Sequence, residues 1–350
     1  MKRLILSVAV LALAASCSKN EVTEVSVSQQ KVIGFTNLND RVTKAANQDD
    51  EDYMVYAMSS TDATAWFMEE QVSGSGDTLD AITDGSVYFW PATGYTVNFY
   101  AYAPYESDNL DVADTALDAL TLEYTVASTA AEDFTVATPI IGADAENQGG
   151  TSTNQTGGVP LVFSHMLTKA TIAVNIEEAL TDYYYTFTSA TLNVVSDVVT
   201  VTLGNTTTAP VGVQTGSAAS YTSSLTATEA EYTATPATST AMLFAPQAAA
   251  TAEGQYSVTL AGLTIYNASG TIVYPAKDTK YEFAVGQEFK AGTSYAITLT
   301  ISAADEDLFA SSDAITFSSS INQNASWTVT DYEDEAVELE ELDTETVATE

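Results

Sequence analysis

The sequence predicts an all-β protein made of antiparallel sandwiches, on three observations. Apolar residues recur with a period of two: Tyr95, Val97, Phe99 and Ala101 share one face, as do Ile172, Val174 and Ile176, and Tyr295, Ile297, Leu299 and Ile301. Thr, Val, Tyr and Ile fill these runs, whereas Gly, Asn, Asp and Ser fill the gaps between them. Helical periodicity is nearly absent after residue 20, and many short strands at this spacing suit sandwiches. With 350 residues the chain is long enough for two domains, each with its own core.

Read in order, Lys2 and Arg3 precede the apolar stretch from Leu4 to Ser16, whose thirteen residues are too few to span a bilayer. That stretch ends in Leu13-Ala14-Ala15-Ser16-Cys17, and Cys17 is the sole cysteine, so no disulfide can form within the chain. Small residues before this thiol match a lipoprotein signal: residues 1–16 are a signal peptide, and Cys17 is acylated and holds the protein on a membrane. Each buried methylene contributes about 0.8 kcal/mol to that attachment. No later stretch is apolar enough for a transmembrane helix.

Residues 17–44 read as a propeptide containing the first strand, with Ile33 and Phe35 on one face. It ends at a basic pair, Arg41 and Lys44. Beyond Lys44 there is no arginine, and the only lysines are Lys169, Lys277, Lys280 and Lys290. A trypsin-like protease specific for Arg or Lys therefore has its natural targets at Arg41 and Lys44.

A first domain is expected over 45–178. In it the apolar runs Val136 to Ile141 and Val159 to Phe163 flank a polar, glycine-rich loop at 143–158, which suggests a long-looped hairpin. The boundary falls near Glu177-Glu178-Ala179-Leu180-Thr181-Asp182, and a second domain follows over 179–330. There Val258 with Leu260, then Leu263 with Ile265 beyond a glycine, form two strands or one bulged strand. Residues 331–350 carry ten acidic residues and no basic ones, as a solvated tail would.

Composition and missing motifs exclude several functions. A total of 47 Asp and Glu against 10 Lys and Arg gives a formal charge of −37, which repels nucleic acid and anionic lipid. Disorder is countered by 45% hydrophobic and 10% aromatic residues. His165, the only histidine, sits in Val162-Phe163-Ser164-His165-Met166-Leu167 and reads as a packed strand residue rather than part of a Ser-His-Asp site. Carboxylate pairs arise by chance among so many acids and do not indicate a glycosidase. The runs Asp49-Asp50-Glu51-Asp52 and Asp305-Glu306-Asp307 lack calcium-loop spacing. No phosphate-binding glycine loop is present. No enzyme, cofactor or metal site is expected. Tyr88-Phe89-Trp90-Pro91 and the stretch from Phe99 to Tyr105 are dense in aromatics. Core and cross-strand packing is the favoured account of both segments and explains Phe99; Tyr100 and Tyr102 fall on the opposite face, where exposure, the lesser alternative, would suit glycan stacking.

Several segments, in order, resemble the fimbrillin-like lipoproteins of Bacteroidetes, the subunits of type V pili. They are the Cys17 lipobox; Val32-Ile33-Gly34-Phe35 with Thr43-Lys44-Ala45-Ala46; Tyr88-Phe89-Trp90-Pro91; and Phe99-Tyr100-Ala101-Tyr102-Ala103-Pro104. Phe163-Ser164-His165-Met166-Leu167-Thr168-Lys169-Ala170, Leu243-Phe244-Ala245-Pro246-Gln247, Ala291-Gly292-Thr293-Ser294-Tyr295 and Trp327 complete the set.

This resemblance implies two tandem transthyretin-like antiparallel β-sandwich domains after a lipoprotein signal peptide. It also implies an outer-membrane, cell-surface fimbrium. A protease removes the first strand, and an extended C-terminal segment of another copy, or of a related fimbrial subunit, fills the groove. Ile33 and Phe35 would belong to the displaced strand. Candidate donors are Ile315 with Phe317, Trp327 with Val329, or Val337 with Leu339. The family often has Thr-Arg-Ala where this chain has Thr43-Lys44-Ala45, so cleavage follows Arg41 or Lys44, or does not occur. In the last case the chain stays lipid-anchored as a pilus anchor or an adhesin for a host glycan or protein. Asp77-Thr78-Leu79 and Asp114-Thr115-Ala116 resemble the O-glycosylation motif of the phylum.

Overall fold

The structure, a computed structural model, describes residues 31–37, 52–59, 66–73, 80–116, 119–128, 132–151, 157–303 and 315–324. The signal peptide, Cys17, Arg41, Lys44, Thr78, Trp327, Val329, Val337 and Leu339 lie outside the described residues.

Strands β1 to β23, in chain order, form five sheets. In the smallest, β1 (Phe35–Asn37) pairs in parallel with β10 (Val159–Leu161). A seven-stranded sheet holds β2 (Tyr53–Ser59), β3 (Met68–Ser73), β4 (Ala81–Ile82), β5 (Val97–Ala103), β8 (Thr135–Ala137), β9 (Ile140–Ala143) and β11 (Phe163–His165). A four-stranded sheet joins β6 (Leu110–Ala116) and β7 (Ala119–Thr125) to β15 (Val198–Leu203) and β16 (Val213–Thr215). A second contains β12 (Thr168–Ile176), β19 (Met242–Phe244), β22 (Ser294–Ala303) and β23 (Ile315–Asn324). The last sheet holds β13 (Tyr183–Phe187), β14 (Ser189–Val194), β17 (Ala219–Thr222), β18 (Ala227–Ala230), β20 (Ser257–Asn267) and β21 (Ile272–Glu282). The protein is all-β, its pairing mostly antiparallel.

Alternation in the sequence maps onto the cores. Ile172, Val174 and Ile176 of β12 lie in parallel register with Ile297, Leu299 and Ile301 of β22, and all six are buried. Residues 258–265 form one bulged strand: Leu260 faces Thr279 and Leu263 faces Lys277, so the register slips by one. Gly262, at φ +65°, takes the left-handed turn that the bulge requires.

Two aromatic expectations need correction. Tyr100 and Tyr102 are 0% and 4% exposed. Strand β5 is an interior layer, with Val97, Phe99 and Ala101 in one core and Tyr100 and Tyr102 in the other. Neither tyrosine offers a face to a glycan, so any receptor contact must come from other residues. Tyr95 precedes β5 and is 46% exposed, so it does not continue the buried face.

The apolar runs around the 143–158 loop each split in two. β8 and β11 do close antiparallel, with Phe163 opposite Ala137, but β9 turns to β5 and β10 turns to β1. Within the loop, Asp144 Oδ1 accepts the Asn147 N–H at 2.7 Å, and Asn147 Nδ2 donates to the Gly150 carbonyl at 2.7 Å. Gly150 has φ +58°, and a Cβ there would lie 2.2 Å from the Ile141 carbonyl oxygen. Gly150→Ala should therefore cost about 3 kcal/mol, read as a lowered denaturant midpoint.

Strand pairing crosses residue 178. The expected boundary follows β12, yet β12 pairs with β19 and β22 from beyond it, and β7 pairs with β15. One core is built from residues 33–163, and a larger one runs from Tyr100 to Ile301.

Burial also makes the fold sensitive to alkali. It pushes the phenols of Tyr185 and Tyr124 up to about 12 from an ordinary 10.0. In the folded state these groups keep protons that the unfolded chain releases, so their contribution is complete below pH 10 and is lost as pH rises from 10 to about 12. Unfolding followed by circular dichroism should fall in that window, together with a step in tyrosinate absorbance. Tyrosinate formation without unfolding would contradict it.

Candidate functional site

The N-terminal segment is built into the protein rather than laid on it. Ile33 and Phe35 are 3% and 0% exposed, whereas Val32 just before them is 50% exposed. This is the inward–outward alternation of an extended strand. The Phe35 ring meets Phe99 edge-on at 5.7 Å, and Phe99 meets Trp90 in the same manner at 5.8 Å. Val159 and Leu161 of β10 belong to the same core.

Backbone groups hold the segment from both sides. On one side the Ile33 N–H donates to the Tyr88 carbonyl at 2.8 Å, and the Trp90 N–H donates to the Lys31 carbonyl at 3.0 Å. Asp80 joins this wall, its N–H donating to the Phe35 carbonyl at 2.9 Å, and on the other side the Val159 N–H donates to the Gly34 carbonyl at 2.8 Å. Asp80 is itself fixed, because the Tyr53 hydroxyl donates to its Oδ2 at 2.7 Å in a buried setting. Lys31 Nζ adds a tie to the Ala145 carbonyl at 2.7 Å.

Taking this segment away would leave an apolar slot bordered by the Tyr88 carbonyl and the Trp90, Asp80 and Val159 N–H groups. Unpaired backbone beside buried apolar surface is costly, and only an extended chain satisfies both walls together. The site is thus suited to holding a strand, not to bond chemistry.

Of the other residues singled out in the sequence, Ile315 and Phe317 lie in β23. That strand pairs with β22 along its whole length, from Ile315 opposite Ala303 to Asn324 opposite Ser294. Phe317 packs over Tyr281, with ring centroids 6.3 Å apart, on the larger core. Phe317 and the pair Ile33 and Phe35 therefore sit in different cores of one chain. His165 is a strand residue whose Nδ1 lies 2.7 Å from Asp133 Oδ2. Thr115 falls within β6. Among the described residues, no cluster of three or more His, Cys, Asp or Glu could hold a metal, and no helix is long and apolar enough to cross a membrane.

Sequence reading missed the walls of the slot. Asp80 gave no signal, since one acid among 47 is unremarkable without its contacts. Val159-Pro160-Leu161 was visible only as an apolar run, with nothing local to show that it pairs with β1.

One solved structure shares the fold, and others align more loosely. A fimbrial protein from Bacteroides vulgatus aligns with a TM-score of 0.55 at 18% identity, covering 85% of this chain and 100% of its own. A cell-adhesion candidate from Bacteroides uniformis aligns with a TM-score of 0.48 at 16% identity, covering 85% of this chain and 98% of its own. The fimbrial anchor protein Mfa2 from Porphyromonas gingivalis gives 0.36 at 9% identity, with 86% and 99% covered. No curated protein matches the chain. A sequence profile of the fimbrillin-like family matches residues 40–323, well over half of the sequence. The chain accordingly belongs to the fimbrillin-like family, whose members are fimbrial and adhesion proteins of the cell surface and not enzymes.

Proposed function

We propose that this protein is a structural subunit of a surface fimbria, exported as a lipoprotein acylated at Cys17 and polymerised by strand exchange. A trypsin-like protease cuts after Arg41 or Lys44 and releases the segment that carries Ile33 and Phe35. An extended C-terminal segment from another copy or a related subunit then fills the slot. In this reading the sheets are grouped as two tandem transthyretin-like sandwiches, tied together by the pairing of β7 and β12 across residue 178.

The observation that carries the reading is the burial of Ile33 and Phe35 between two backbone walls, with the basic pair following within a few residues of the strand's end. A strand of about five residues burying ~400 Å² of apolar area is worth on the order of 10 kcal/mol before ordering costs. That is enough to hold the precursor closed and to drive its replacement by an equivalent strand. A donor containing Ile315 and Phe317 first has to leave β22, whereas Trp327 with Val329 and Val337 with Leu339 offer the same apolar-x-apolar pattern further along.

The test is the N-terminal residue of the protein recovered from cell surfaces. Val42 or Ala45 supports the processed subunit. Acylated Cys17 as the only N-terminus overturns it in favour of an outer-membrane anchor or adhesin.

A further inference from the structure

A second apolar feature lies away from the N-terminal slot. β11, the lead-in to β16 and the segments 246–248 and 289–292 enclose an open groove of about 770 Å³. Phe163, Met166, Val211, Val213, Pro246 and Phe289 make its walls apolar. Val211 and Val213 are 71% and 58% exposed, unusual for large apolar residues side by side on one rim. The rim is tightly built: a Cβ on Gly212 would lie 2.6 Å from Val199 Cγ2. β16 is also the outer strand of its sheet, so one side of its backbone is open to a further strand.

The groove lining lacks the acids that dominate the molecule. In a chain with 47 Asp and Glu, none of the sixteen lining residues is acidic, and they include Lys290 and His165. Lys290 Nζ contacts Glu288 at 2.6 Å, and His165 Nδ1 lies 2.7 Å from Asp133, both carboxylates outside the lining. A strand with one apolar face fits such a surface when its acids point away to solvent.

We propose that the groove holds the chain's own C-terminal tail, with Val337 and Leu339 against the apolar wall and Glu338 and Glu340 turned outward. The exit point of the chain supports this occupant. Asn324, the last residue of β23, pairs with Ser294, two residues from Gly292 of the groove lining. The thirteen residues from Asn324 to Val337 span up to about 43 Å when extended. Val337-Glu338-Leu339 alternates as an added strand beside β16 requires. Tethering raises the local tail concentration to about the millimolar range, so modest contacts suffice. A tail from a second copy lacks this tethered concentration, which favours the chain's own tail as the occupant. Docking in cis does not depend on strand exchange: the tail occupies the groove whether or not it later serves as a donor.

Disulfide trapping in the full chain tests it, with Cys17→Ser leaving only the introduced thiols. Val213→Cys with Leu339→Cys should oxidise to a cross-linked monomer about tenfold faster than Ile272→Cys with Leu339→Cys, because Ile272 lies outside the groove. Both Val213 and Ile272 are exposed, so neither change threatens folding. In the same chain, Val337→Ser with Leu339→Ser should raise amide hydrogen exchange at 211–214 and 289–292. Equal trapping rates, cross-linked dimers in place of monomers, or unchanged exchange would each overturn the proposal.

Discussion

Replacing Arg41 and Lys44 together by Ala should abolish surface polymers and leave the chain at its post-signal length. The reasoning is positional. No arginine follows Lys44, the four lysines beyond it all lie in the folded body, and a cut at Lys19 or Lys31 would leave Ile33 and Phe35 attached. Lys169 is in β12, and Lys277 and Lys280 are in β21, where extended, paired backbone resists a protease. Lys290 lies beside β22, its ammonium held by Glu288. Loss of both early sites therefore has no ready substitute. Each single variant should still assemble if the protease accepts either residue. Detergent-resistant ladders on immunoblots of cell surfaces give the measurement, and ladders of unchanged intensity in the double variant would falsify processing as the trigger.

Phe35→Ala should destabilise the unprocessed chain by about 3–5 kcal/mol, the range for truncating a fully buried aromatic. Phe35 has no exposed surface and sets its ring edge on Phe99, which also supports Trp90, so the vacated volume opens into the centre of the smaller core. Ile33→Ala acts on the same cavity, and the two losses should not add. The informative contrast is with the processed protein. Once cut after Arg41 or Lys44, the chain no longer contains residue 35, so fibres grown from the variant precursor should match wild type in thermal stability. Denaturant unfolding of the precursor and melting of purified fibres give the two halves of the comparison. Equal destabilisation of both would show that the strand stays in place.

The slot in front of Trp90 was only half legible beforehand. Ile33 and Phe35 announced a strand because a pleated chain turns alternate side chains to one face. Their position just before Arg41 and Lys44 suggested that the strand is removable. What receives them was not legible. Asp80 and Tyr88 come from one segment and Val159 from another, both distant in sequence from Ile33, and each contributes a backbone group that no side-chain pattern reveals. Tyr100 and Tyr102 show the same limit from the other direction. Alternation correctly set them opposite Phe99, but whether that second face meets water depends on what lies above it, and here Leu120, Tyr124 and Phe134 belong to the core that covers it.

The sequence by itself determined the all-β character, the faces of β12, β20 and β22 and the acid excess, because pleat period and charge are local properties. Only the tertiary structure decided that β1 lies parallel to β10, that β5 is an interior layer and that β7 and β12 pair across residue 178. It alone placed the end of β23 beside an acid-free groove. Backbone hydrogen bonds are chemically identical along the chain, so strand partners are selected by how whole faces pack, and that selection is made in three dimensions.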